Sequence, residues 1–195
     1  MRRDLTTAAL AVILLTLLLG VAYPLATTGI AQLAFPGAAN GSRVEVGGRV
    51  VGSRLIGQDF QGRRRYFQSR PSVTGYSADV TYFDNLGPNS RKLSRLFARE
   101  LAAYLRRERP YDPGLAAAEV PVDATATSAS GVDPQISVAN ARIQAHRVAA
   151  VRGLRLRRVL ALVDGHTEGR FLGLFGEAGV NVLELNLALD RGSMG

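Results

Sequence analysis

The sequence predicts an α+β fold: one N-terminal transmembrane helix followed by a single extracytoplasmic domain with a small sheet and about three helices. Three observations lead there. No charged residue occurs between Asp4 and Arg43. Two valine-containing runs separated by a glycine pair follow, the pattern of a β-hairpin. The middle of the chain then repeats apolar residues at three- and four-residue steps, and its end alternates apolar with polar residues.

The stretch Ala8 to Ala22, AALAVILLTLLLGVA, is almost wholly aliphatic. A helix that crosses a bilayer needs ~20 apolar residues, and Leu5 to Thr27 supplies them. A cleaved signal peptide is the rival reading, because MRRD resembles a positive n-region. Its apolar region would span only ~7–15 residues, whereas here apolar character continues through YPLATTGIAQLAF to Phe35. We therefore expect an uncleaved anchor, with residues 1–35 as cytoplasmic N-terminus and membrane helix and residues 40–195 as the outer α+β domain. Arg2 and Arg3 precede the apolar run and no cation follows it until Arg43. The positive-inside bias then predicts a single-pass protein of the cell membrane, with its N-terminus in the cytoplasm and its C-terminal domain outside.

Within the outer domain, RVEVGGRVVGSRLIG reads as a hairpin in which Gly47 and Gly48 take the positive φ of a tight turn. QGRRRYFQSRPS sets three arginines before Tyr66 and Phe67. A stacking platform is one reading; a solvated loop with its aromatic residues tucked into the core is the one expected. Leu93, Leu96, Phe97, Leu101, Tyr104 and Leu105 share one face of a helix between Pro88 and Arg109. AEVPVDA reads as a short extended segment. A second helix starts after Ser137, whose hydroxyl caps it, and stops at Gly153. A third places Leu156, Val159, Leu160 and Val163 on one side. In VNVLELNLALD, Leu183, Leu185, Leu187 and Leu189 alternate with polar or small residues, which predicts a half-buried final strand.

Chemistry is sparse. The chain has 195 residues, 47% hydrophobic and 21% charged, and no cysteine. Disulfides, thiol nucleophiles and Cys-ligated metals are thereby removed. Its two histidines, His146 and His166, lack the spacing of a zinc site, and no phosphate-binding glycine loop occurs. A serine hydrolase would need Ser128 or Ser130 with one of those histidines as base; TSASGVDPQIS, from Thr127 to Ser137, reads instead as a turn and helix cap. The formal net charge is +8, and every basic residue except Lys92 is arginine. Nucleic acid is the usual partner for such a balance, but an outward-facing domain does not meet it. Acidic protein surfaces and the anionic lipid bilayer are the expected counterparts.

Read in order, several segments resemble the C subunit of the bacterial potassium-transporting P-type ATPase, the KdpC family. GVAYPLATTGIAQLAFPGAANGS is similar to that family's anchor and exit; GSRLIGQDF with YFQSRPS, NLGP, TSASGVDPQIS, RVAAVR and GVNVLELNLALD follow in the family's sequence. Three stretches depart from it: TYFD at Thr81 to Asp84, Val132-Asp133-Pro134-Gln135, and Gln144-Ala145-His146-Arg147-Val148. The resemblance implies a non-catalytic subunit beside a channel-like potassium-binding subunit, an ATP-hydrolysing subunit and a very small membrane peptide. It also implies a chaperone role that raises the pump's affinity for ATP, so that ATP association rests on the family alone and no cofactor is held tightly. On this reading Gln58, Tyr66, Phe67, Arg70, Asn85, Ser128, Ser130, Gly131 and Asp133 lie near subunit contacts. The competing reading makes them fold-determining turns, and the alternatives from other classes are a membrane-anchored serine hydrolase-like enzyme and a membrane-anchored outer sensor.

Overall fold

The apolar N-terminal run is one helical rod from Arg2 to Ala34, in a computed structural model that describes residues 1–79, 86–170 and 172–192. Helix α1 (Arg2–Leu17) passes through a π turn at Leu18–Ala22 into α2 (Tyr23–Ala34). Pro24 explains the turn: it has no N–H for the carbonyl one turn back and its ring would strike it. The ladder widens just ahead, with Tyr23 N–H donating to Leu18 O. At ~1.5 Å per residue the rod exceeds the ~30 Å of a bilayer core, and none of its residues is buried. Among the described residues it is the one helix long and apolar enough to cross a membrane. Thr27 returns its hydroxyl to Tyr23 O and Pro24 O, each at 3.0 Å, so no polar group of that side chain is left open in an apolar setting.

After the single turn α3 (Pro36–Ala39), Asn40 closes the helical exit by pairing amides with Gln32 at 3.0 and 3.3 Å and donating to Pro36 O at 2.7 Å. The expected hairpin follows as β1 (Arg43–Val46) and β2 (Arg49–Ser53), with φ of 58° at Gly47 and 76° at Gly48. By internal contact the chain divides into Met1–Val51 and Gly52–Gly195.

The second unit is a three-stranded antiparallel sheet with four helices among its described residues. The sheet order is β3 (Gln135–Ser137), β5 (Gly179–Asn181), β4 (Thr167–Glu168). Ile136 stands opposite Val180, and Val180 opposite Thr167. The helices are α4 (Arg91–Glu108), α5 (Val138–Arg152), α6 (Leu156–Gly165) and α7 (Val182–Gly192). Ser137 caps α5 by accepting from Asn140 N–H, and Gly153 ends it at φ 67°, as expected from the sequence. The core joins Phe67, Ile136, Val148, Val159, Val180 and Leu185. A smaller cluster, Tyr104, Leu115 and Ala124, lies under α4.

Two expectations are corrected. The final strand is real only over Gly179–Asn181; Leu183 to Leu189 belong to α7. Alternation at this point coincides with a helical stripe, since Val182, Leu185, Asn186 and Leu189 recur at three- and four-residue steps and are all buried. Asn181 decides between the two by accepting from Glu184 N–H at 3.2 Å, a helix cap. The AEVPVDA segment is not extended but two 3₁₀ turns, Ala117–Glu119 and Val122–Ala124, because Glu119 folds back onto Ala116 N–H at 2.7 Å. The helix expected between Pro88 and Arg109 is present as α4; Tyr104 on its apolar face is buried and Phe97 is 36% exposed.

Candidate functional site

The segment from Arg64 to Ser72 belongs to neither sheet, yet Phe67 and Gln68 within it are buried. Its backbone groups still need partners, and side chains from α5 and α7 provide them. Asn186 works as a substitute strand: its Oδ1 accepts from Phe67 N–H at 2.8 Å and its Nδ2 donates to Phe67 O at 3.0 Å. Gln144 repeats the arrangement one residue on, accepting from Gln68 N–H at 2.7 Å and donating to Gln68 O at 3.1 Å. Arg147 donates to Tyr66 O at 2.9 Å and to Arg64 O. Arg152 donates to Arg65 O at 2.7 Å.

The clamp is buried and charged. Arg147 has 0% exposure and pairs with Glu108, at 1%, through contacts of 3.0 and 3.1 Å. Burial lowers the Arg147 pKa, and the Glu108 carboxylate opposes that fall by favouring the cation. Tyr104 donates to Asn140 Oδ1 at 2.9 Å, and burial, reinforced by the nearby Glu108 charge, pushes its phenol well above the usual tyrosine range. Asn140 also donates to Asp123 at 2.9 Å, and Asp123 takes both the N–H and the hydroxyl of Ser137. Removing one member of such a network strands the others in a medium of low dielectric.

From Arg70 onward the segment meets the Thr127 to Ser137 loop. Arg70 pairs with Asp133 at 2.8 Å, Ser72 Oγ donates to Gly131 O, and Ser128 N–H donates to Pro71 O at 3.3 Å. Ser69 Oγ donates to Gln58 O at 3.2 Å, and Gly57 N–H to Val132 O at 2.7 Å. A side chain at Gly57 would collide with the Asp133 carbonyl, and one at Gly131, whose φ is 74°, would come within 2.5 Å of Thr74 Oγ1. Beside this junction lies a cleft of about 720 Å³, walled by Pro71, Ser72 and Thr127 and by Lys92, Arg95 and Arg99 of α4.

Eight of the nine candidate residues therefore occupy one connected region. Phe67 is in the core, as expected. Tyr66 is half-buried, donates to Asp190 at 2.8 Å and lies under the Arg152 guanidinium at 4.9 Å. Gln58, Arg70, Ser128, Ser130, Gly131 and Asp133 form the junction; Asn85 and the TYFD stretch lie outside the described residues. The hydroxyls of both serines are engaged within the loop itself. Ser128 and Ser130 bond to each other at 3.0 Å, to the N–H groups of Gly131 and Val132, and to Asp133. Neither histidine is among their partners; His166 Nδ1 bonds to Leu162 O. Sequence reasoning missed Glu108, Asn140, Gln144, Arg147 and Asn186 as determinants. The available signal was in α5, where Asn140, Gln144 and Arg147 step along beside Ala141, Ala145 and Val148 on one buried face.

Over residues 5–191 the chain matches the family described as KdpC, the K+-transporting ATPase c chain. The chain belongs to the KdpC family. It is 53% identical to the potassium-transporting ATPase KdpC subunit of Myxococcus xanthus, across 95% of this chain and 86% of that protein. The namesake of Mycobacterium tuberculosis is 47% identical across 98% and 100%, and that of Rhodospirillum rubrum 50% across 98% and 97%. This KdpC-family chain is thus a subunit of a potassium-transporting ATPase, a multi-subunit assembly that requires partner surfaces.

Proposed function

We propose that the chain is a non-catalytic subunit that assembles and stabilises the potassium pump and raises the ATP affinity of its ATP-hydrolysing subunit. The observation that supports it is a family match running unbroken from the apolar helix through α7. Residues 1–35 form the anchor, with the N-terminus in the cytoplasm, and residues 40–195 the outer domain. Its partners are the channel-like potassium-binding subunit, the ATP-hydrolysing subunit, the small membrane peptide and the surrounding lipid. The junction of Gln58, Tyr66, Arg70, Ser128, Ser130, Gly131 and Asp133 with Phe67 behind it, together with Asn85, presents the surface that meets them. A domain outside the membrane does not touch cytosolic ATP. The effect on nucleotide affinity is therefore a coupling free energy carried through the anchor helix and partner subunits.

The test is to capture the chain by a C-terminal tag from potassium-starved cells in mild detergent and identify what accompanies it. The pump's ATP dependence is then measured with and without the chain. Co-purified ATPase subunits and a lower KM for ATP with the chain present are expected. An unchanged KM would refute the affinity role. Because the chain has no cysteine, single cysteines placed at Ser90 or Val122 report topology: labelling by an impermeant maleimide in intact cells is expected, and protection would reverse the orientation.

A further inference from the structure

The loop joining β4 to β5 carries three large apolar side chains in water: Leu172, Leu174 and Phe175 are 74%, 75% and 64% exposed. Isolated exposed apolar residues are ordinary. Three within four positions of one turn make a contiguous knob, which marks an interaction site. The knob is shaped by its own chain. Arg170 grips both oxygens of Glu177 at 2.8 and 2.9 Å across its base. Gly173 N–H donates to Arg170 O at 3.0 Å, and β4 pairs with β5 beneath. Leu172 holds φ 53°, with Gly173 at 74° and Gly176 at 81°; the left-handed region is unfavourable for leucine and is retained where surroundings or function demand it.

We propose that this knob docks into an uncharged groove, lined with aliphatic and aromatic side chains, on a neighbouring subunit of the potassium-transporting ATPase. The inference rests on the accessory-subunit reading above. Charge selects a protein groove over lipid. A loop that enters the bilayer interface sets free cations around its apolar tip to meet phosphates. Here the segment from Gly169 to Glu177 contains one cation and one anion, and they are bound to each other. An apolar centre with a neutral polar collar is the anatomy of a protein interface, with the large side chains as anchors and the paired charges as rim.

The decisive experiment places the photoreactive residue benzoylphenylalanine at position 175 of the full chain, expressed with the whole pump in its membrane. Irradiation is followed by tag capture, and Val122, exposed alone on a 3₁₀ turn, is the control position. A cross-link to another pump subunit at 175 but not at 122 is expected; a cross-link to lipid alone, or none, overturns the proposal. The double variant Leu174→Ser, Phe175→Ser should weaken the association roughly a hundredfold and lower the amount of captured partner accordingly, since each of the two large apolar side chains left in water forfeits about a factor of ten in the equilibrium constant. Undiminished capture also overturns it. Failure of the unaltered chain to capture any ATPase subunit would instead remove the accessory-subunit reading. Normal capture with no cross-link at 175 removes only the knob.

Discussion

Replacing Gln144 by alanine tests whether side-chain amides hold the Arg64 to Ser72 segment. Gln144 is 1% exposed and makes four hydrogen bonds: two with the Gln68 backbone, one from Arg147 at 2.8 Å and one to Asn140 at 2.9 Å. Arg147 keeps Glu108 and two carbonyls, and Asn140 keeps Tyr104 and Asp123. The Gln68 N–H and C=O lose the partners described for them and stay buried. At about 1–3 kcal/mol for each stranded buried group, the loss is about 4 kcal/mol, a large part of the ~5–15 kcal/mol that a domain possesses. The chain in detergent should melt roughly 8–16 °C lower, at ~2–4 °C per kcal/mol for this size. Trypsin should also cut faster at Arg63, Arg64 and Arg65. Arg142→Ala on the same helix removes a pair with Asp164 whose members are 60% and 58% exposed and should change stability by no more than about 0.5 kcal/mol. Equal melting of the two variants, with unchanged cleavage at the arginine run, would refute the clamp.

Gly57→Ala drives a methyl group into the Asp133 carbonyl and should cost about 1–3 kcal/mol, read by urea unfolding, while Gly62→Ala, in open space at positive φ, should cost less. Arg70→Ala breaks a half-exposed pair with Asp133 and should cost at most about 1 kcal/mol of stability, yet reduce the yield of assembled pump; equal yield removes Arg70 from the contact surface. Tyr104 has a raised phenol pKa, so its stabilising contribution is whole below the ordinary tyrosine value near 10.0 and is lost as pH climbs beyond it, by about 1.4 kcal/mol per pH unit. Tyr104→Phe should therefore be less stable than the parent at pH 8, with the gap closing between pH 10 and 11 in denaturant titrations; a constant gap contradicts the shift.

Features written into a few adjacent residues were legible. Ser137 and Gly153 bracket α5, Gly47 and Gly48 turn the hairpin, and the uncharged run makes the apolar rod, because caps, positive φ and hydropathy act within a turn or two of chain. The convergence of Arg70 with Asp133 was legible only as two suggestive motifs. The clamp was not legible, because Gln144, Arg147 and Asn186 look like solvent-facing residues until the segment they bind is known.

By itself, then, the sequence determined the membrane-length helix, the capped middle helices, the hairpin and the family. Their determinants are local or, for the family, distributed along the whole chain in register. Only the tertiary structure decided that the last leucines form a helix, that an arginine and a glutamate sit together in the core, and that an irregular segment is held by amides from two helices. Each of those outcomes depends on which buried backbone groups lack a partner, and that is settled by residues tens of positions apart meeting in a water-free interior.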